Sequence, residues 1–149
     1  MLKKYAPEDR GDAIDLFLGV FAQEPFNCGW LRREDANRYF ADIENTPLSL
    51  SFLYYDDTGS LMGLCLGVVN DYFPVKLYEI KELAIRKDAQ GQGRGKHMID
   101  EIAQYLQHQN IDAIKLTTQQ HLPAYDFYIR NGFVLSKTSV VLNKPIRKR

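Results

Sequence analysis

Three glycines alternate with longer polar residues in Gln90-Gly91-Gln92-Gly93-Arg94-Gly95-Lys96. A β-capable run, Tyr78 to Ile85, precedes this stretch, and an amphipathic run with Met98, Ile99, Ile102, Tyr105 and Leu106 on one stripe follows it. The spacing suits an anion. Glycine lets a ligand approach the backbone with no Cβ in the way. The first amides of a helix have no partner inside it, and the helix dipole is positive at that end. Phosphate is the natural occupant of such a place, and Arg94 and Lys96 can contact it by charge. Just upstream, the strand carries two carboxylates, Glu79 and Glu82, that could move a proton.

The pattern separates between kinds of phosphate ligand. A dinucleotide fingerprint needs a third glycine where Lys96 stands. A P-loop needs glycine at the place of Gln90 and Ser or Thr at the place of His97. What matches is Gln90-x-x-Gly93-x-Gly95, which resembles the Q/R-x-x-G-x-G/A signature of the GNAT superfamily of N-acetyltransferases. A second stretch, Ala124-x-x-Phe127-Tyr128-x-x-x-Gly132-Phe133, resembles that superfamily's N-x-x-A-x-x-[FL]-Y-x-x-x-G-F element. Together they extend the resemblance over nearly the whole chain. One position departs: the asparagine that often bonds the pantetheine arm is replaced by His121, which can also donate and accept and which brings a titration near neutral pH.

The resemblance implies acetyl-CoA as cosubstrate, with Gln90, Gly91, Gln92, Gly93, Arg94, Gly95 and Lys96 around its pyrophosphate and the backbone of Leu83, Ala84 and Ile85 beside pantetheine. Acetyl transfer to an amine has four requirements: a held donor, a neutral amine, a stabilised carbonyl oxygen and a leaving thiolate. An alkylamine with an unperturbed pKa of ~10.4 needs desolvation or a base at neutral pH. Glu82 is nearer the expected carbonyl position, while Glu79 matches the offset of the base in some relatives. The two fall on opposite faces of a regular strand, and a bulge would change that. A water relay is the alternative to either. Tyr128 matches the superfamily's tyrosine and is the candidate acid for the thiolate. Phe26, Trp30, Tyr72 and Phe73 are candidates for the acceptor pocket, and Glu24, Asp35 and Asp71 could attract a cationic acceptor.

These groups have to be positioned by a particular order of elements. The pattern predicts a first strand at Leu2 to Ala6, a helix opened by Pro7, an irregular loop over Gln23 to Leu31, and a helix from Arg33 to Asn45. A hairpin follows, Leu48 to Tyr55 and Leu61 to Val69, turned by Asp56-Asp57-Thr58-Gly59. After the central strand, glycine loop and helix come a strand at Ile111 to Thr118, a short helix at Leu122 to Arg130 stopped by Asn131-Gly132, and a last strand at Phe133 to Leu142. The order β-α-α-β-β-β-α-β-α-β is an α/β (α+β) arrangement. The expectation is one GNAT-like domain over residues 1–149: a mixed, mostly antiparallel sheet flanked by about four helices.

Composition limits the function. The chain has 149 residues, and 19 Lys plus Arg balance 19 Asp plus Glu. That gives no footprint for nucleic acid, and the basic end Lys144 to Arg149 reads as a solvated tail. Cys28 and Cys65 are too few for a disulfide framework and lack metal spacing, so no metal is expected. No apolar leader or membrane-length run is present, which points to a cytoplasmic setting. The leading function is an acetyl-CoA-dependent N-acetyltransferase acting on a small-molecule amine. The alternatives are a non-catalytic acyl-CoA-binding module and an acetyltransferase of protein N-termini or lysines. A homodimer through the final strand is also expected.

Overall fold

Apolar residues at helical spacing in two early runs, and alternating apolar residues in the three that follow, give two helices and an antiparallel meander. The computed structural model describes residues 1–22 and 32–147. Within them the chain forms two compact units, residues 1–117 and 118–149.

The first unit contains β1 (Leu2–Lys4), α1 (Arg10–Phe21, entered through a 3-10 turn at Pro7–Asp9), α2 (Arg33–Glu44), β2 (Phe52–Tyr55), β3 (Leu61–Asp71), β4 (Lys76–Ile85), α3 (Arg94–His108) and β5 (Ala113–Lys115). The sheet order is β1-β2-β3-β4-β5. The first three pairings are antiparallel and the last, β4 with β5, is parallel. β2 proper is Phe52–Tyr55, but its run already pairs with β3 further upstream: Ser49 bridges Val68, the Leu50 amide donates to the Gly67 carbonyl and the Val69 amide to the Leu48 carbonyl. β5 is shorter than its run, and pairs only with Leu77–Glu79.

The sheet has two apolar faces. On one, Ala13, Ile14, Phe17 and Val20 of α1 and Ala36, Phe40 and Ile43 of α2 pack with Leu53, Leu64, Leu66 and Ala84. Each Val, Leu, Ile or Phe side chain among them contributes roughly 1.5–3 kcal/mol by leaving water. On the other face Phe52 meets Tyr78 and, at 5.1 Å between ring centroids, Tyr105 of α3. Met98, Ile102 and Leu106 complete the buried stripe of α3. Helices α1 and α2 are braced to each other by the Arg10–Glu44 pair, which Tyr5 joins through its hydroxyl, and by Arg33–Asp15.

The second unit holds α4 (Pro123–Arg130), with proline at its first position. Phe127, Tyr128 and Phe133 form its aromatic cluster, with Tyr128 5.3 and 5.2 Å from the other two rings. The expected last strand is not formed: residues 133–142 join no ladder among the described residues. The physical reason is local. Ser136 Oγ accepts from the amides of Thr138 and Ser139, turning the chain in the middle of the apolar run. Strand propensity reflects packing against a neighbour rather than a backbone preference.

Candidate functional site

The site is assembled around β4. Its pairing with β3 slips between Leu66 and Gly67: Glu82 lies opposite Leu66, Ile80 lies opposite Gly67, and Lys81 is the extra residue of a β-bulge. Leu66 and Val68 are two apart on β3 and so share a face. Their partners Glu82 and Glu79 therefore share it too, whereas a regular strand would have put them on opposite faces. Gly67 is required at the slip. A Cβ there would lie 2.3 Å from the Tyr78 hydroxyl and 2.8 Å from the Glu79 carbonyl oxygen.

The two carboxylates differ in their surroundings. Glu82 is partly buried on the side of α2, where Tyr39 Oη donates to its Oε1 at 2.8 Å. Burial pushes the Glu82 carboxyl above the usual range, and the Tyr39 hydrogen bond offsets part of that rise. Burial acts upward on Glu79 as well, but the Lys81 ammonium 3.0 Å away, Asn70 and the charge of Lys115 outweigh it, and the net shift is downward. Of the two, Glu82 is thus the stronger base, and Glu79 is engaged as an ion-pair partner. On the opposite face the buried thiol of Cys65 is pushed up to about 12, chiefly by desolvation. It lies 3.6 Å from the Tyr78 hydroxyl, which also donates to the carbonyl of Leu50 at 2.7 Å.

Among the described residues, the outer edge of β4 beyond Glu79 has no strand beside it, because β5 stops at Lys115. Residues Leu83, Ala84 and Ile85 pair with β3 on their inner side. Past Arg86 the chain makes a short 3-10 turn at Lys87–Ala89 and enters the glycine loop. Gln90 closes that loop onto the strand, its side-chain amide donating to the Ile85 carbonyl at 2.9 Å. Gly91 and Gly93 both lie at φ 77°, and Gly93 is the left-handed N-cap of α3, with no side-chain cap. The first helical hydrogen bond runs from the His97 amide to the Gly93 carbonyl, so the amides of Arg94, Gly95 and Lys96 precede it. A Cβ at Gly91 or Gly93 would meet open space, the feature a phosphate cradle needs. Gln92 bonds back to the Asp88 carbonyl, Arg94 contacts the Gln92 side chain, and Lys96 is paired with Asp100 at 2.6 Å.

The remaining candidates are distributed more widely. Tyr72 and Phe73 are at the β3–β4 turn, 60% and 88% exposed. Phe26, Trp30 and Glu24 lie outside the described residues, as do Cys28, Lys148 and Arg149. Asp35 is engaged by Arg32 and Arg38, and Asp71 accepts from the Phe73 amide, which weakens their claim as acceptor anchors. In the second unit, Tyr128 is buried on α4 and His121 is exposed just before it. A cleft of about 610 Å³ between α1 and the end of β4, lined by Asp12, Asp15, Leu61 and Arg86 among others, contains none of the candidates. Among the described residues no group of three His, Cys, Asp or Glu could hold a metal, and no helix is long and apolar enough to cross a membrane. The residue that sequence reasoning missed is Tyr39. It stands on the apolar stripe of α2, and nothing in its spacing announces a bond to a strand 43 positions away.

Comparison with known proteins agrees with this fold. The model of the Acetyltransferase (GNAT) family matches residues 17–133. No curated protein matches the chain. Solved structures share the fold at low identity. A transcriptional regulator from Bacillus halodurans is 16% identical, with a TM-score of 0.74 over 97% of this chain and 99% of that one. An aminoglycoside acetyltransferase from an uncultured soil metagenomic sample, solved in complex with sisomicin, is 19% identical, with a TM-score of 0.72 over 99% and 96%. A GNAT family acetyltransferase from Staphylococcus aureus is 14% identical, with a TM-score of 0.71 over 97% and 98%.

Proposed function

The chain belongs to the GNAT family of acetyltransferases, and we propose that within it the protein moves the acetyl group of acetyl-CoA onto a primary amine of a small molecule, as one domain over residues 1–149. The observation that carries this reading is the continuity of three features: the open outer edge of β4, the left-handed glycine loop, and the uncapped first turn of α3. The first offers backbone groups to an extended, amide-bearing arm. The other two offer amides and a positive dipole end to its phosphates.

Acetyl-CoA, when bound, supplies an acetyl group activated as a thioester. The amides of Gly91 to Lys96 hold its pyrophosphate, with Arg94 adding charge at the exposed end of the loop. The backbone of Leu83, Ala84 and Ile85 bonds the pantetheine arm, and one amide of that run donates to the carbonyl oxygen as it becomes negative. His121 donates to or accepts from the same arm. Glu82 takes the proton from the amine, a role for which its raised carboxyl makes it the stronger base of the two glutamates. Glu79 stays in its pair with Lys81 and is the weaker candidate. Tyr128 Oη donates a proton to the departing sulfur. Phe26, Trp30, Tyr72 and Phe73 surround the acceptor.

The acceptor class we propose is a polyamine, an amino acid, an aminoglycoside or another small amine. The aminoglycoside acetyltransferase solved with sisomicin is one relative by fold whose ligand is of this kind. The test is release of the CoA thiol from acetyl-CoA over a panel of such amines. Turnover with at least one of them supports the reading. Tight acetyl-CoA binding without turnover on any amine or on peptide N-termini and lysines replaces it with a binding module. We further propose a cytoplasmic homodimer, in which a second copy covers the exposed apolar side chains Val134, Val140 and Leu142. Light scattering at micromolar concentration tests this, and a mass near 17.2 kDa refutes it.

A further inference from the structure

We propose that Tyr39 is a positioning residue for the acyl-transfer step: its hydroxyl holds Glu82 Oε1 so that Oε2 receives the proton of the amine. This inference rests on the acyl-transfer reading and adds to it a residue from a different element. Tyr39 Oη is 2.8 Å from Glu82 Oε1, and among the described residues Oε2 has no donor. One oxygen of the carboxylate is therefore fixed and the other available. The proton moves from the amine nitrogen to Oε2, while the proton of Tyr39 stays on Oη. Burial and the neighbouring carboxylate raise the Tyr39 phenol above its ordinary range, so it remains a donor throughout.

The tyrosine is itself held by its surroundings. Its ring is tilted against Phe17 of α1 at 6.3 Å and edge-on to Phe40 at 6.5 Å. The helix that carries it is tied to α1 by Arg10–Glu44 and Arg33–Asp15. A hydroxyl that can only rotate within this frame is a fixed hydrogen-bond donor, which is what an oriented base needs. The other ionisable groups near Glu82 do not substitute for it. Lys81 on β4 is paired with Glu79, Lys115 of β5 is opposite Glu79, and Cys65 of β3 is a neutral buried thiol. The face of α1 turned toward β4 is apolar, and α3 packs its Met98 on the opposite face of the sheet.

The sign of the effect follows. Tyr39 stabilises the ionised form of Glu82, so Tyr39→Phe raises the Glu82 pKa further. The acidic limb of kcat/KM moves to higher pH by about one unit. Turnover on the alkaline plateau also falls, because the carboxylate is no longer oriented, whereas the Kd for acetyl-CoA stays within about twofold. The experiment measures pH–rate profiles of the whole chain and of Tyr39→Phe, with the best amine of the panel. In parallel, the Glu82 carboxyl is titrated by carbon NMR, using Glu82→Gln to assign its signal. An upward move of both the limb and the carboxyl titration supports the proposal. Turnover with an unmoved limb or an unmoved carboxyl titration overturns the Tyr39 assignment alone, since a merely structural tyrosine changes stability without changing that titration. Absence of turnover in the unsubstituted chain overturns the acyl-transfer reading, and the positioning role with it.

Discussion

Replacing Gly67 by alanine perturbs the point at which the fold creates the site. The added methyl carbon would sit 2.3 Å from the Tyr78 hydroxyl, 2.4 Å from its ring carbon Cζ and 2.8 Å from the Glu79 carbonyl oxygen. Ordinary contact is roughly 3.5–4.0 Å, so more than an ångström must be found. Neither side gives easily. Tyr78 is fully buried and its hydroxyl is bonded to the Leu50 carbonyl. The Gly67 amide donates to Ser51 Oγ, and its carbonyl accepts from Leu50. Overpacking costs about 1–3 kcal/mol, and a weakened hydrogen bond of the buried hydroxyl about 1 kcal/mol more, so the expected loss is roughly 2–4 kcal/mol. For a chain of this length that corresponds to a fall in Tm of about 5–15 °C by calorimetry. Because Gly67 adjoins Leu66, the β3 partner of Glu82, a backbone shift there disturbs Glu82, and kcat should fall more than acetyl-CoA affinity. Adding Tyr78→Phe should not restore stability, since the ring carbon is as close as the hydroxyl. A Gly67→Ala protein that melts within 2 °C of the parent (about 1 kcal/mol or less), or a double variant that recovers fully, would refute the reasoning.

Three further outcomes are expected. Gly93→Val puts a β-branched residue at φ 77° in open space, so it costs on the order of 1–2 kcal/mol of strain without a clash. The fold should persist while acetyl-CoA affinity drops at least tenfold, about 1.4 kcal/mol, and calorimetry giving the parent Kd would count against the cradle. Tyr128→Phe should lower kcat on the order of 10²-fold with little change in acetyl-CoA affinity; unchanged turnover means that the buried tyrosine serves packing only. Arg10→Ala should destabilise the chain by roughly 1–2 kcal/mol at neutral pH, since it leaves Glu44 without its guanidinium. Arg10 foremost, with Tyr5, holds the Glu44 carboxyl below its ordinary value, against its burial. That stability is present above the unfolded carboxylate pKa of about 4.3 and is lost as pH falls through the lower folded value. The gap between parent and variant in urea titrations should therefore close in acid, and a gap independent of pH would show that the pair is not its source.

Much of the site could be read in the chain because its signals are local. Glycines that must adopt left-handed backbone, followed at once by an amphipathic helix, specify a glycine turn and a helix start within seven residues, Gln90 to Lys96. The structure has Gly91 and Gly93 in that conformation and α3 starting at Arg94. Helices α1, α2 and α4 and the strands around them were similarly legible, since 3.6-residue and two-residue periodicities are properties of neighbouring positions. What depended on distant positions was not. The face on which Glu79 lies follows from a one-residue slip between β3 and β4, and sequence alternation alone gives the opposite answer. The contrast between a raised Glu82 and a lowered Glu79 comes from burial and from partners on other elements and at i+2. Tyr39 reads as one more apolar-stripe residue until α2 packs on the sheet and brings its hydroxyl to Glu82. The run from Phe133 to Leu142 has the composition of a strand but no ladder, because a strand needs a partner and Ser136 turns the chain instead. The sequence by itself determined the backbone of the glycine loop and the order of elements up to α4, which are set within a few residues of one another. Only the tertiary structure decided which carboxylate is raised and which is lowered, because desolvation and hydrogen bonding depend on what is packed around a group.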